Sequence, residues 1–566
     1  MTAMTRAEDA PHWPADVPRD LGPLPSSLHE ALRLSALREP ERPAIHFYGQ
    51  TIRYDALLAR IEALASYLQH ACAVGRGDCV VVYMQNAPHY VIAFYAVMRA
   101  GGVVVPVNPM NRRDELAHIA ADSGARVAIV GIELQDIVAA LEPMPFDRVV
   151  IAAYGRDLAI DETLPQPPVV AGSGTVGVLD RPWAVSWEEA CAERRPPKRD
   201  EIGPDDRSVM PYTSGTTGMP KACVHTHRSA LFTAAAQSQW YGFGPESVLS
   251  AFMPLFHVAG MQASMNAGLF AGAALVIMTR WDRDLVAPLF LRHGVTFWSA
   301  APTMVIDVLA GRNVTPEAFG RVRVLTGGGA TLPDATAAML EDTYGLRFVA
   351  GYGMSETMSP THINPVDRPK TGSIGLPIFQ TMCRIVDPDT LRDLADGEVG
   401  EIIVSGPQVM RGYWRRPDAD AAAFIDREGR RFLRTGDLGY RDEEGYYFLV
   451  DRLKRMINVS GYKVWPAECE AVLFHHPAIQ DCCVVAVPDS YRGETVRAYI
   501  VPRDGHAADA AGIEQWVRAR MAPYKVPRQI VFRTSLPRTA TNKTDWRALQ
   551  QEAREEADRT AREREE

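Results

Sequence analysis

The sequence predicts an α/β protein: a large N-terminal domain of α/β layers with a β-rich subdomain, followed by a small C-terminal α+β domain. Three observations carry this expectation. At 566 residues the chain exceeds what one hydrophobic core usually supports. Short apolar runs alternate with helix-like segments, the pattern of strands and helices in layers. The composition, 47% hydrophobic and 23% charged, is that of a folded globular chain and argues against disorder or a fibre.

Taken in order, Met1 to Pro25 is polar and Pro-rich with acids among its bases. It matches neither a signal peptide nor a transit peptide, and residues 1–25 are expected to form a flexible arm. Helices are predicted at Ser27 to Arg38 and Tyr54 to Ala71, and strands at Cys79 to Met84, Val103 to Val107, Arg126 to Val130 and Arg148 to Ala152. Asp161 to Asp206, rich in Pro, Gly and charge, reads as an irregular solvent-facing connection. Alternation resumes through Arg323 to Thr326 and Phe348, and a β-rich stretch follows from Gly372 to Tyr447, with strands at Glu401 to Ser405 and Tyr446 to Val450. The charged segment Asp451 to Arg455 then precedes a compact tail with strands Cys482 to Val487 and Val496 to Val501 and a helix Gly512 to Met521. The domains are therefore drawn at 26–451 and 452–549. Gln550 to Glu566 carries charges at helical spacing with hardly an apolar face, so 550–566 reads as a charged tail, a frayed and solvated helix.

Several function classes fall away. A net charge of −9 and the lack of a basic cluster leave no nucleic-acid footprint. The longest apolar run, Ala267 to Met278, is too short to span a bilayer and is broken by Gly268 and Gly272, so no transmembrane segment is expected. Eight cysteines are scattered without metal-ligand spacing, and the adjacent pair Cys482-Cys483 is a poor disulfide, which suits a reducing cytoplasm.

The chemistry is concentrated in Tyr212-Thr213-Ser214-Gly215-Thr216-Thr217-Gly218-Met219-Pro220-Lys221. Glycine permits close backbone approach, so successive N–H groups can turn toward one oxyanion, while hydroxyls and the lysine ammonium supply further donors. The loop suits a triphosphate. It is not a Walker A loop, because Met219 and Pro220 separate the second glycine from the lysine.

Further segments follow in one order: Pro254-Leu255-Phe256-His257, Gly327-Gly328-Gly329-Ala330, Gly351-Tyr352-Gly353-Met354-Ser355-Glu356, Arg434-Thr435-Gly436-Asp437, Asp451-Arg452-Leu453-Lys454, Gly461-Tyr462-Lys463-Val464 and Pro537 to Lys543. Together they resemble the adenylate-forming superfamily of acyl- and aryl-CoA synthetases, nonribosomal adenylation domains and beetle luciferase, over roughly Pro43 to Leu549. The resemblance implies ATP-dependent activation of a carboxylic acid to acyl-AMP with pyrophosphate release, then transfer to CoA. It also implies a mobile C-terminal lid.

The resemblance assigns residues to that reaction. Thr213, Ser214, Gly215, Thr216, Thr217, Gly218 and Lys221 would wrap the phosphates, and Glu356, assisted by Thr213, would ligate Mg²⁺ through hard oxygens. Glu356 also reads as an acid favoured at a helix N-terminus. Gly328, Gly329 and Ala330, with Gly351, Tyr352, Gly353 and Ser355, would hold adenosine, Tyr352 stacking on the base. Asp437 would grip the ribose diol with two carboxylate oxygens, Arg452 beside it. Lys543 would place an ammonium between the acid and the α-phosphate. Lys454 aligns with the hinge, though a surface charge reads equally well there, and Ser460 and Gly461 belong to the face presented to CoA.

Three positions depart from the family pattern: Asn542 for a glycine, Ser355 for the commoner threonine, and Asn458 where luciferase and plant aryl ligases carry lysine. The acyl pocket is assigned to His257, Gly327 and Met354, with Met261, Met265, Met304 and Met358 as pliable lining. For His257 a buried structural role stands open beside the pocket role. The expected substrate is a medium- or long-chain fatty acid. Two alternatives remain: transfer to a carrier protein, against which no carrier domain follows Leu549, and a non-catalytic nucleotide-binding regulator. A homodimer is left open.

Overall fold

The computed structural model describes residues 12–565 except 156–157, 159–163, 176, 199–201, 214–218, 312–313, 329–331, 460–461, 490–491, 507–508 and 540–543. Contacts divide the chain into two units. The first comprises Met1–Cys383, Val404–Leu433 and Glu444–Tyr446; the second comprises Arg384–Ile403, Arg434–Glu443 and Tyr447–Glu566.

The first unit is built around two large sheets. One places its strands in the order His225–Thr226, Arg207–Val209, Val103–Val107, Cys79–Tyr83, Val127–Gly131, Arg148–Ala152 and Ala184–Ser186. Its centre is parallel, with Val81 opposite Val105 on one side and Ala128 on the other. Every residue of Cys79–Tyr83 is buried, which is why the strand reads as an unbroken apolar run. Ala184–Ser186 lies inside the stretch expected to be irregular; three residues suffice to extend the sheet beside Arg148–Ala152. The other sheet runs in parallel from Pro43–Phe47 through Ala274–Ile277, Val248–Ala251, Phe297–Ser299 and Val324–Gly327 to Phe348–Tyr352. His362–Ile363 and Ser373–Pro377 then continue it antiparallel.

The arm expected to be loose is anchored from residue 12 onward. Trp13 is only 7% exposed and meets the edges of Trp240 and Phe379 at ring-centroid distances of 5.0 and 5.1 Å. Its Nε1 donates to the Val17 carbonyl at 2.9 Å, so even the indole's polar atom is satisfied. One large aromatic side chain anchors a segment whose composition otherwise reads as polar.

In the second unit, the run Asp437 to Arg441 pairs antiparallel with Tyr447–Arg452, which sets Asp437 opposite Arg452. Further along, Gly493–Pro502 pairs with Ile479–Asp489 on one edge and with Ile457–Val459 and Gln529–Phe532 on the other. Alternate residues of these strands enter separate cores. Cys482, Val484 and Ala486 pack with Cys469, Leu473, Ile513 and Val517, whereas Cys483, Val485 and Val487 pack with Leu549 and Ala553. Cys482 and Cys483 therefore point to opposite faces, and all eight cysteines are free thiols.

The second core bears out the helix expected over 550–566 and corrects its being solvated all round. Trp546–Glu565 is one helix, and Leu549, Ala553 and Ala557, spaced by four, lie against the sheet. Gln550 exchanges two hydrogen bonds with the main chain of Ala486, at 2.6 and 3.0 Å. A stripe made mostly of alanine is apolar enough to pack but too weakly hydrophobic to stand out among charges.

Candidate active site

Thr213 and Lys221 face each other across a two-residue antiparallel ladder, Tyr212–Thr213 against Lys221–Ala222. These two short strands are the stems of a hairpin, and they carry a hydroxyl and an ammonium. Ser214, Gly215, Thr216, Thr217 and Gly218, like Gly329, Ala330, Ser460, Gly461 and Lys543, lie outside the described residues. Asp122 steadies the hairpin: its carboxylate accepts from the Tyr212 hydroxyl and the Arg416 guanidinium, each at 2.8 Å.

Glu356 sits in the single 3₁₀ turn Ser355–Thr357, after the strand Phe348–Tyr352. Met358 and Ser359 follow with φ of 49° and 51°, a left-handed conformation that side chains with a Cβ adopt only at an energetic cost. The turn is held from several sides. The Thr357 hydroxyl accepts from the Met354 N–H at 3.1 Å, and the Glu356 carbonyl accepts from the Met410 N–H at 2.8 Å. Buried His225 donates from Nε2 to the Ser355 carbonyl at 2.7 Å; burial pushes its pKa down to about 4, so it is neutral at physiological pH.

Tyr413 joins the two halves. Its hydroxyl donates to Glu356 Oε1 at 2.8 Å, and the Lys221 ammonium stands 5.3 Å from its ring centroid, within cation–π range. Neither Tyr413 nor His225 was identified from the sequence. Each makes its contact with a segment far away in the sequence, Tyr413 with Glu356 across 57 positions and His225 with Ser355 across 130, so their roles arise only where distant segments meet.

Two of the glycines are also required by the packing of the backbone. A Cβ at Gly327 would come within 2.0 Å of the Ala300 carbonyl oxygen, and one at Gly328 within 2.4 Å of the Gly351 oxygen. These positions require glycine because neighbouring backbones approach closely, whatever ligand lies beside them. Tyr352 is 9% exposed and its ring centre lies 5.8 Å from that of His362. His257, partly exposed, caps the turn Val258–Gly260, its Nδ1 accepting from the Ala259 N–H at 3.3 Å. The helix continues through a π-helical turn, Met261–Asn266, in which Met261 and Met265 are fully buried. The side chains of Gln262 and Ser264 are buried there too and make no hydrogen bond to another described residue. Such turns concentrate at functional sites.

The second unit carries the remaining described candidates. Asp437 is buried and receives Arg452 Nε on Oδ1 at 3.0 Å. Gly436, at φ 69°, supplies the left-handed residue before it, and its N–H donates to Glu401 at 3.1 Å. Asp451, just before the Leu453–Arg455 turn that contains Lys454, accepts from the Ala467 N–H at 2.6 Å at the start of the helix Pro466–Phe474.

Among the described residues no group of three or more His, Cys, Asp or Glu side chains could hold a metal by itself. For Mg²⁺, which takes one or two protein oxygens and fills its shell with water and phosphate, the Glu356 carboxylate and the Thr213 hydroxyl would be the hard oxygens.

A model of the AMP-binding enzyme family matches residues 32–414, and one of the AMP-binding enzyme C-terminal domain matches 468–543. The chain belongs to the AMP-binding enzyme family. It is 35% identical over 553 residues to a long-chain-fatty-acid–CoA ligase of Bacillus subtilis, covering 96% of this chain and 97% of that one. It is 33% identical over 512 residues to a feruloyl-CoA synthase of Amycolatopsis, covering 90% and 95%. Its fold matches ATP-bound MatB from Rhodopseudomonas palustris with a TM-score of 0.80 at 26% identity, covering 94% and 100%. This AMP-binding enzyme is therefore an AMP-forming acid–thiol ligase that uses ATP and CoA, with a large N-terminal and a smaller C-terminal α/β domain. No helix among its described residues is long and apolar enough to cross a membrane.

Proposed function

We propose that this enzyme activates a medium- or long-chain fatty acid to acyl-AMP with Mg²⁺-dependent release of pyrophosphate, and then forms acyl-CoA. The observation that carries the adenylation half is the joining of Lys221 to Glu356 through Tyr413 at the stem of the Gly- and Thr-rich hairpin. Lys221 offsets phosphate charge, and Glu356 supplies a hard oxygen beside it. When bound, Mg²⁺ would offset the negative charge that opposes attack of one anion on another. Asp437 accepts from the ribose hydroxyls. Lys543 spans the carboxylate and the α-phosphate in the first transition state, and rotation about Lys454 then withdraws it and brings the Ser460 and Gly461 face to CoA. The fatty-acid reading is supported by the relative that is a fatty-acid–CoA ligase and by the buried methionines near His257. The setting is the cytoplasm, and a second copy of the chain is a compatible partner.

Pyrophosphate release measured over fatty acids of increasing length and over aromatic acids, with and without CoA, tests the substrate. Turnover should rise with chain length, with thioester formed only when CoA is present; highest kcat/KM for an aromatic acid would reject the fatty-acid reading. Lys543→Ala should slow acyl-adenylate formation about a hundredfold, roughly 3 kcal/mol, while thioester synthesis from supplied acyl-AMP survives. Equal loss in both half-reactions would remove Lys543 from the first transition state.

A further inference from the structure

Tyr413 sits at the crossing of everything that orients the phosphate end of the site. Its main chain is fixed on the segment leaving the hairpin: it forms a bridge with Cys223, flanked by Trp414 N–H to Ala222 carbonyl and Val224 N–H to Gly412 carbonyl, both 2.9 Å. Beyond it, Trp414 Nε1 donates to the Asp122 carbonyl at 3.1 Å, and Arg416 binds the Asp122 carboxylate that also receives the Tyr212 hydroxyl. One aspartate thus ties the start of the hairpin to the segment that carries Tyr413. The same segment holds Glu356 twice, by the Met410 N–H on its carbonyl and by the Tyr413 hydroxyl on its carboxylate, both at 2.8 Å.

We propose that Tyr413 is a positioning residue: its hydroxyl fixes the direction in which the Glu356 carboxylate faces, and its ring places Lys221, so that the phosphate-binding cation and the metal-binding anion are set by one side chain. This rests on the reading of Glu356 as the Mg²⁺ ligand. Two consequences separate the halves of the side chain. Removing the hydroxyl acts on the metal-dependent part of ATP binding; removing the ring acts also on the part that needs no metal.

The test is calorimetric binding of ATP to the full chain, first with metal chelated and then along a Mg²⁺ titration, for wild type, Tyr413→Phe, Tyr413→Leu, Glu356→Gln and the double variant Tyr413→Phe/Glu356→Gln. In Tyr413→Phe the Mg²⁺ concentration giving half the gain in affinity should rise about tenfold, as for one lost hydrogen bond to a charged group, with metal-free affinity unchanged. Tyr413→Leu should also weaken metal-free binding. In the Glu356→Gln background Tyr413→Phe should add nothing further to the Mg²⁺ response. An unchanged Mg²⁺ midpoint in Tyr413→Phe, an equal loss with and without metal, or additive losses in the double variant would each overturn the positioning role while leaving Glu356 as a ligand. If wild type binds ATP no more tightly with Mg²⁺, the metal reading falls and this proposal falls with it.

Discussion

Glu356 and Asp437 are two carboxylates assigned to the same nucleotide, and the chain holds them by different chemistry. Glu356 occupies a short turn followed by two left-handed residues, Met358 and Ser359, and receives the neutral hydroxyl of Tyr413. Asp437 is buried within a strand, after Gly436, and receives the guanidinium of Arg452. A hydroxyl orients a carboxylate without bringing positive charge to it, which suits a group that is to meet a cation. A guanidinium orients and offsets at once, which lets a carboxylate be buried and suits one that is to meet neutral hydroxyls. The contrast predicts that the two sites differ in metal dependence.

The sharpest test is Glu356→Gln. The amide keeps an oxygen for Tyr413, so the turn is preserved while the charge is lost. Mg²⁺-dependent adenylation should fall on the order of a hundredfold, about 3 kcal/mol, with AMP affinity little changed. A parallel loss of AMP affinity would erase the contrast. Asp437→Ala should do the reverse, weakening ATP and AMP alike, with or without Mg²⁺, by roughly 1.5–3 kcal/mol. Dissociation constants for both nucleotides decide it, and an unchanged value for AMP would end the ribose assignment.

What could be read from the sequence follows the reach of each signal. Val103–Val107 and Arg148–Ala152 fall within the residues expected, and Ser27 caps the first helix through its hydroxyl on the Glu30 N–H, because these are signals confined to a few neighbouring residues. Thr213, Lys221 and Glu356 were visible because glycines and hydroxyls mark their loops. Tyr413 was not: its partner Glu356 is 57 positions away, and His225 meets Ser355 across 130. A lone tyrosine after glycine carries no mark of a bond made by tertiary pairing. Trp13 and the Leu549, Ala553 and Ala557 stripe were missed for another reason, since one aromatic or a few alanines do not shift the polar average of a segment, yet each fills a place in a core.

The smallest effect probes the Asp437 side of the contrast most finely. Arg452 is half-exposed while Asp437 is buried, so the pair sits at the water boundary and its attraction is partly screened. Arg452→Ala should therefore weaken ATP binding by under about 1 kcal/mol, roughly fivefold or less, far below the loss from Asp437→Ala. Because the interaction is ionic and near solvent, the penalty should shrink as salt is raised, and because it lies on the ribose side it should be the same for AMP and for ATP at every Mg²⁺ concentration. Titration of both nucleotides at low and high ionic strength measures each point. A loss equal to that of Asp437→Ala would show that Asp437 acts only through its guanidinium partner, and a penalty that depends on Mg²⁺ would place Arg452 on the phosphates instead of the ribose.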